Sequence, residues 1–105
     1  MIYELRIYHV LNGKMREYSQ HFAEFVPVWK KLGINLIGVW QTVIGENDEF
    51  TYLLAFDDMA DRDKKWKAVA ADPDTQAYFQ KHPSGSLVTH ITNKILTPQP
   101  YSPLK

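Results

Sequence analysis

The chain has 105 residues, twelve acidic and twelve basic side chains, no cysteine, and 45% hydrophobic residues. A single domain of this size buries roughly two thirds of its unfolded surface without metal or disulfide support. Zero net charge with no basic run excludes the electrostatic footprint of a nucleic-acid binder, and the lack of cysteine removes disulfides, thiolate nucleophiles and Cys-ligated metals.

Ile2 to Val10 alternates along its length and is rich in Ile, Tyr and Val, which predicts a strand. Tyr3, Leu5, Ile7 and His9 share one face; Ile2, Glu4, Arg6, Tyr8 and Val10 share the other. Asn12-Gly13 then makes a turn. Met15, Tyr18, Phe22, Phe25 and Trp29 recur at helical steps, so an amphipathic helix follows. Pro27 inside that pattern removes one backbone bond and should bend the helix or end it early. Lys30, Lys31 and Gly33 provide a stop signal, with cations at the negative end of the dipole and glycine at the left-handed position.

Asn35 to Ile44 reads as a second strand, Gly45 to Asp48 as a hairpin loop, and Phe50 to Phe56 as a third strand. Both strands are apolar on both faces, unlike a hairpin with one wet face. Asp57-Asp58 caps a second helix to about Ala71, with acid-before-base pairs Asp58/Arg62, Asp61/Lys65 and Asp63/Lys67. Asp72 caps and Pro73 opens a short third helix through about Lys81. His82-Pro83-Ser84-Gly85 breaks it, Leu87 to Leu96 forms a fourth strand, and a Pro-spaced tail closes the chain. The domain is therefore residues 1–97 and the tail residues 98–105.

The order of elements predicts an α+β, ferredoxin-like β-α-β-β-α-β sandwich, with a four-stranded antiparallel sheet and both main helices on one face. The first strand is expected at the centre, between the third and fourth. The uncovered apolar face needs a cover, and a second copy packed sheet to sheet provides one. The tail is then either loose or laid over the partner.

The chain resembles the NIPSNAP family of the dimeric α+β barrel superfamily. The resemblance rests on Tyr3-Glu4-Leu5-Arg6-Ile7-Tyr8, Gly13-Lys14, Gly38-Val39-Trp40 with Gly45, Tyr52-Leu53 and Phe56-Asp57. It continues through Arg62, Trp66, Asp72-Pro73, Asn93-Lys94-Ile95-Leu96-Thr97-Pro98 and Tyr101-Ser102-Pro103. It implies a homodimeric barrel built from two sheets, and no settled reaction for short members. Longer eukaryotic relatives are mitochondrial. No apolar run here reaches the ~18 residues of a membrane span, and the chain opens without a leader-type segment, so the expected location is cytoplasmic.

With Leu5 and Ile7 under the helices, Glu4, Arg6 and Tyr8 would face the barrel interior. The apolar parity of Leu87, Ile91 and Ile95 would send His90, Thr92 and Lys94 to the same interior. Trp40 and Tyr52 would supply the wall. Glu4, Arg6, Tyr8, Trp40, Tyr52 and His90 are thus the candidate ligand-binding residues of a small-molecule site. A catalytic version uses His90 or Glu4 as general base, Arg6 on an anionic oxygen and Tyr8 as donor. The competing reading is structural: Glu4 and Arg6 neutralise each other, and the aromatics are packing residues. The expected function is binding of a small apolar or aromatic ligand, or of a protein partner. The alternative is a cofactor-independent monooxygenase or isomerase. No metal is expected, because His9, His21, His82 and His90 lack ligand spacing, and no cofactor, because a haem would have only His90.

Overall fold

The computed structural model describes residues 1–83 and 87–105. Its elements are β1 (Ile2–Val10), α1 (Met15–Lys31), β2 (Asn35–Gln41), β3 (Glu49–Phe56), α2 (Met59–Ala71), α3 (Pro73–Lys81) and β4 (Val88–Leu96). They form one antiparallel sheet in the order β2-β3-β1-β4, so β1 is central, as its place in the split β-α-β pattern predicts. The expected break at Ser84-Gly85 lies outside the described residues.

Local chemistry sets most of these boundaries. Asp58 accepts from the Asp61 amide at 2.8 Å and Asp72 from the Asp74 amide at 3.0 Å, each satisfying a free donor at a helix start. Pro73 takes the first helical position of α3. Gly33, with φ of 80°, follows α1 in the left-handed conformation that only glycine adopts freely. Pro27 neither ends nor interrupts α1, which continues to Lys31. Pro27 and Ala23, whose carbonyl loses its helical donor, are both exposed, so the lost bond falls on the solvent side of the helix. β2 stops three residues short of the expected Ile44. Val43 and Ile44 instead stand on the loop, 92% and 94% exposed.

The core lies between the sheet and the helices. Tyr18, Phe22, Phe25 and Trp29 of α1 pack on Val10, Phe50, Tyr52, Leu54 and Phe56, with Ile34, Val69 and Leu87 at the edges. Rings dominate it: Phe22 meets Phe50, Tyr52 and Trp29 with centroids 4.9, 5.0 and 5.4 Å apart.

Directly paired residues of an antiparallel sheet share a face. Glu4 pairs with Leu54, Arg6 with Tyr52 and Tyr8 with Phe50, all toward the helices. The expected orientation of β1 is therefore reversed: Glu4, Arg6 and Tyr8 lie under the helices, whereas Leu5, Ile7 and His9 face away. Tyr52 on β3, expected with Trp40 on the wall of the barrel interior, is likewise turned under the helices, while β4 keeps its expected orientation. His90, Thr92 and Lys94 pair with His9, Ile7 and Leu5 on the outer face.

That outer face is partly covered by the chain itself. The tail does not extend away; Pro98, Ser102 and Leu104 enclose a cavity with Tyr3, Leu53 and Leu96. Tyr3 and its neighbour Ala55 are consequently only 5% and 2% exposed. Trp40 covers another part, its ring lying over Gly38, where an added Cβ would fall 2.5 Å from ring carbons.

Candidate functional site

Glu4 is fully buried and accepts five hydrogen bonds. Arg62 donates to it through Nε at 2.8 Å and Nη2 at 3.2 Å, and Trp66 through Nε1 at 3.0 Å. Arg6 Nη1 donates at 3.0 Å and Asn93 Nδ2 at 2.9 Å. A buried carboxylate is tolerated only when paired and hydrogen-bonded, and here both conditions are met from three elements. Burial pushes its pKa up, but the bonds from Arg62, Trp66 and Asn93 outweigh burial and leave it below the ordinary value of 4.5. Glu4 has no lone pair to spare for a substrate. It is a clamp joining β1 to α2 and β4.

Beside the clamp opens a cavity of about 370 Å³, in the range of small-molecule sites. Tyr8 and Tyr52 form its floor on the sheet; Tyr18, Phe22, Phe25 and Trp29 line it from α1. Tyr78 and Phe79 close it from α3, and Val88 to Ile91 form the edge on β4. α3 is held against α1 by Phe25–Tyr78 stacking at 4.6 Å and by His82, which stacks on His21 and reaches Glu24 at 2.5 Å. His82, just past α3, is thus part of the joint between the two helices.

The polar side chains lining the cavity include the hydroxyls of Tyr8, Tyr18, Tyr52, Tyr78 and Thr89 and the imidazole of His90. Tyr52 donates to the Tyr8 hydroxyl at 2.9 Å. Burial raises the pKa of Tyr52 and of Tyr18 well above the ordinary tyrosine value, and pushes Tyr78 up to about 12. These phenols are neutral donors at physiological pH. Trp29 Nε1 is buried without a hydrogen-bond partner among the described residues.

The NIPSNAP family profile matches residues 3–103. The chain belongs to the NIPSNAP family. It is 28% identical over 104 residues to zebrafish (Danio rerio) Protein NipSnap homolog 1, covering 99% of this chain and 36% of that protein. The chain thus spans about a third of the length of that curated relative. A NIPSNAP family protein from Agrobacterium tumefaciens is 32% identical and superposes with a TM-score of 0.90, covering 99% of this chain and 90% of that one. A Burkholderia xenovorans NIPSNAP domain protein gives 24% and 0.87, covering 98% and 99%. A Nitrosomonas europaea protein provisionally assigned to the antibiotic biosynthesis monooxygenases shares the fold at 9% identity, with a TM-score of 0.70 over 93% and 98%.

Within this NIPSNAP domain the six predicted residues do not form one site. Tyr8 and Tyr52 meet in the cavity; Glu4 and Arg6 lie behind it in the clamp; Trp40 is on the opposite face. His90 borders the cavity from its strand, but its ring stacks on His9, 4.2 Å away, rather than meeting Tyr8. The catalytic constellation of His90, Glu4, Arg6 and Tyr8 is therefore not assembled. Arg62, expected to pair with Asp58 on its own helix, bonds Glu4 instead, and Trp66 joins it there. The missed residues are those of α1 and α3: Tyr18, Trp29, Tyr78 and Phe79. The helical spacing of Tyr18 and Trp29 marks a core stripe, no such pattern marks Tyr78 and Phe79, and nothing in either helix marks a gap between them. Among the described residues no group of three or more His, Cys, Asp or Glu is arranged to hold a metal, and no helix is long and apolar enough to cross a membrane.

Proposed function

We propose that this NIPSNAP domain binds a small, mainly aromatic molecule in the cavity between sheet and helices. One observation carries the reading: an open, aromatic-lined cavity lies between α1, α3 and the edge strand β4, against core rings that close packing would otherwise cover. Its lining supplies ring faces for stacking and a few hydroxyl donors for orientation. His90, the imidazole among the described lining residues, stacks on His9 rather than meeting Tyr8, which favours binding over acid–base chemistry. The enzymatic alternative, a cofactor-independent monooxygenase or isomerase, is supported by shared fold alone.

The test is titration with neutral 2-naphthamide, followed by tryptophan fluorescence, because Trp29 lines the cavity. Saturable quenching is expected. Ile91, 46% exposed at the cavity edge, is replaced by tryptophan to block entry. Quenching that survives unchanged in a folded Ile91→Trp protein would refute the site.

We further propose a cytoplasmic homodimer formed through the outer sheet face. Half-buried Leu5, Ile7 and Leu53, with Trp40 at 54% exposure, leave an apolar surface of the kind that monomers rarely expose. A two-fold pairing would cover it on both copies at once. Light scattering at low micromolar concentration should give a dimer mass; a monomer mass sinks this part.

A further inference from the structure

We propose that the ligand of this cavity carries an anionic oxygen, as in a carboxylate, enolate or phenolate, placed against the Tyr8–Tyr52 hydroxyl pair and held there by the positive charge of Arg6. The inference rests on the cavity reading above and specifies its chemistry.

The charge balance beneath the cavity floor supports it. Glu4 supplies one negative charge and faces two guanidinium groups, Arg6 and Arg62. Arg62 has a second counter-ion in Asp63, with Nη1 at 3.3 Å from its carboxylate. Among the described residues Arg6 has Glu4 alone, and shares it. Its side chain is only 19% exposed, and its Nε is buried without a partner among the described residues. The guanidinium is wedged between rings, its carbon 5.5 Å from the centroids of both Tyr8 and Trp66. The ring faces stabilise a cation without neutralising it. A partly desolvated positive charge therefore stands directly behind the Tyr8 ring.

The cavity offers donors at the same end. The hydroxyl pair uses one proton internally: Tyr52 donates to Tyr8, leaving the Tyr8 proton without an acceptor among the described residues. Donors backed by positive potential in a low-dielectric setting select an acceptor that carries negative charge. No carboxylate lines the cavity to compete for them. The remaining walls are mostly aromatic rings, with Val88 to Ile91 at the edge, so the rest of the ligand is flat and mainly apolar. Arg6 does not line the cavity; it acts through Tyr8 and is a positioning residue.

The experiment compares 2-naphthoate with 2-naphthamide, which share a shape and differ in charge, on the full chain at neutral pH. The carboxylate should bind about tenfold more tightly, the size of one charge-assisted hydrogen bond over a neutral one. Arg6→Gln should bring the ratio close to one while leaving naphthamide affinity nearly unchanged. Because Arg6→Gln also disturbs Glu4, Tyr8→Phe provides the second variant and should lower the ratio without touching the clamp. Equal affinities in the unmodified protein, or a ratio that neither variant changes, would overturn the anionic assignment and leave the cavity reading standing. Failure of both probes to bind at millimolar concentration would overturn both.

Discussion

Replacing Glu4 by glutamine keeps the shape and removes the charge. The two carboxylate oxygens do different work: Oε1 takes Arg62 Nε and Trp66 Nε1, while Oε2 takes Arg6 Nη1, Arg62 Nη2 and Asn93 Nδ2. In Glu4→Gln one of these positions becomes an amide that donates, so at least two donors lose their acceptor and meet an N–H. Two partly buried guanidinium groups, 19% and 21% exposed, also lose their shared counter-charge. Removing one member of such a pair costs about 3–5 kcal/mol. On a chain of this length each kcal/mol lowers Tm by about 4–8 °C, so the drop should exceed about 10 °C. Urea unfolding at neutral pH measures it as a fall in midpoint at constant slope. The pH dependence provides an independent check. The folded pKa of Glu4 lies below 4.5, so its contribution is present above that value and is lost as pH falls through the folded pKa. Glutamine does not titrate, so the two stability curves should converge on acidification. A loss under about 1 kcal/mol at neutral pH, the size of an exposed pair, would refute the view of Glu4 as a buried three-element clamp.

Other outcomes follow from single contacts. Gly38→Ala places a methyl where the Trp40 ring lies, so the ring must swing outward; a red shift of tryptophan emission with at most about 1 kcal/mol of destabilisation is expected, and unchanged emission would contradict the packing. Removal of residues 98–105 uncovers Tyr3 and Leu53, and should lower the urea midpoint in proportion to the apolar area exposed; no change would show the tail to be unattached. Asp58→Ala deletes the acceptor for the Asp61 amide and should cost about 1 kcal/mol, with asparagine restoring most of it.

Much of the fold was legible because its signals are local. The limits of β1, the start of α2 and both ends of α3 follow from alternation, capping aspartates and Pro73, each of which acts over a few residues. The element order then restricted the sheet to a topology with β1 at the centre, and the observed strand order agrees. The exposed loop position of Val43 and Ile44 was not legible, since an apolar pair after a strand has the same pattern whether or not it is paired.

The face of β1 could not be read locally. Both faces mix apolar and polar residues, and strand parity carries no sign of its own: a choice between them inverts every side chain at once. The deciding contacts come from Arg62 and Trp66, 58 and 62 residues beyond Glu4, and from Asn93, 89 residues beyond it. Only when α2 and β4 bring those donors together does burying a carboxylate become favourable, and then Glu4, Arg6 and Tyr8 turn inward as a set. The same docking separates Tyr8 from His90 and opens the aromatic cavity between α1 and α3. From the sequence came the elements and their order; only the tertiary structure decided which face is the inside, because that depends on partners far along the chain.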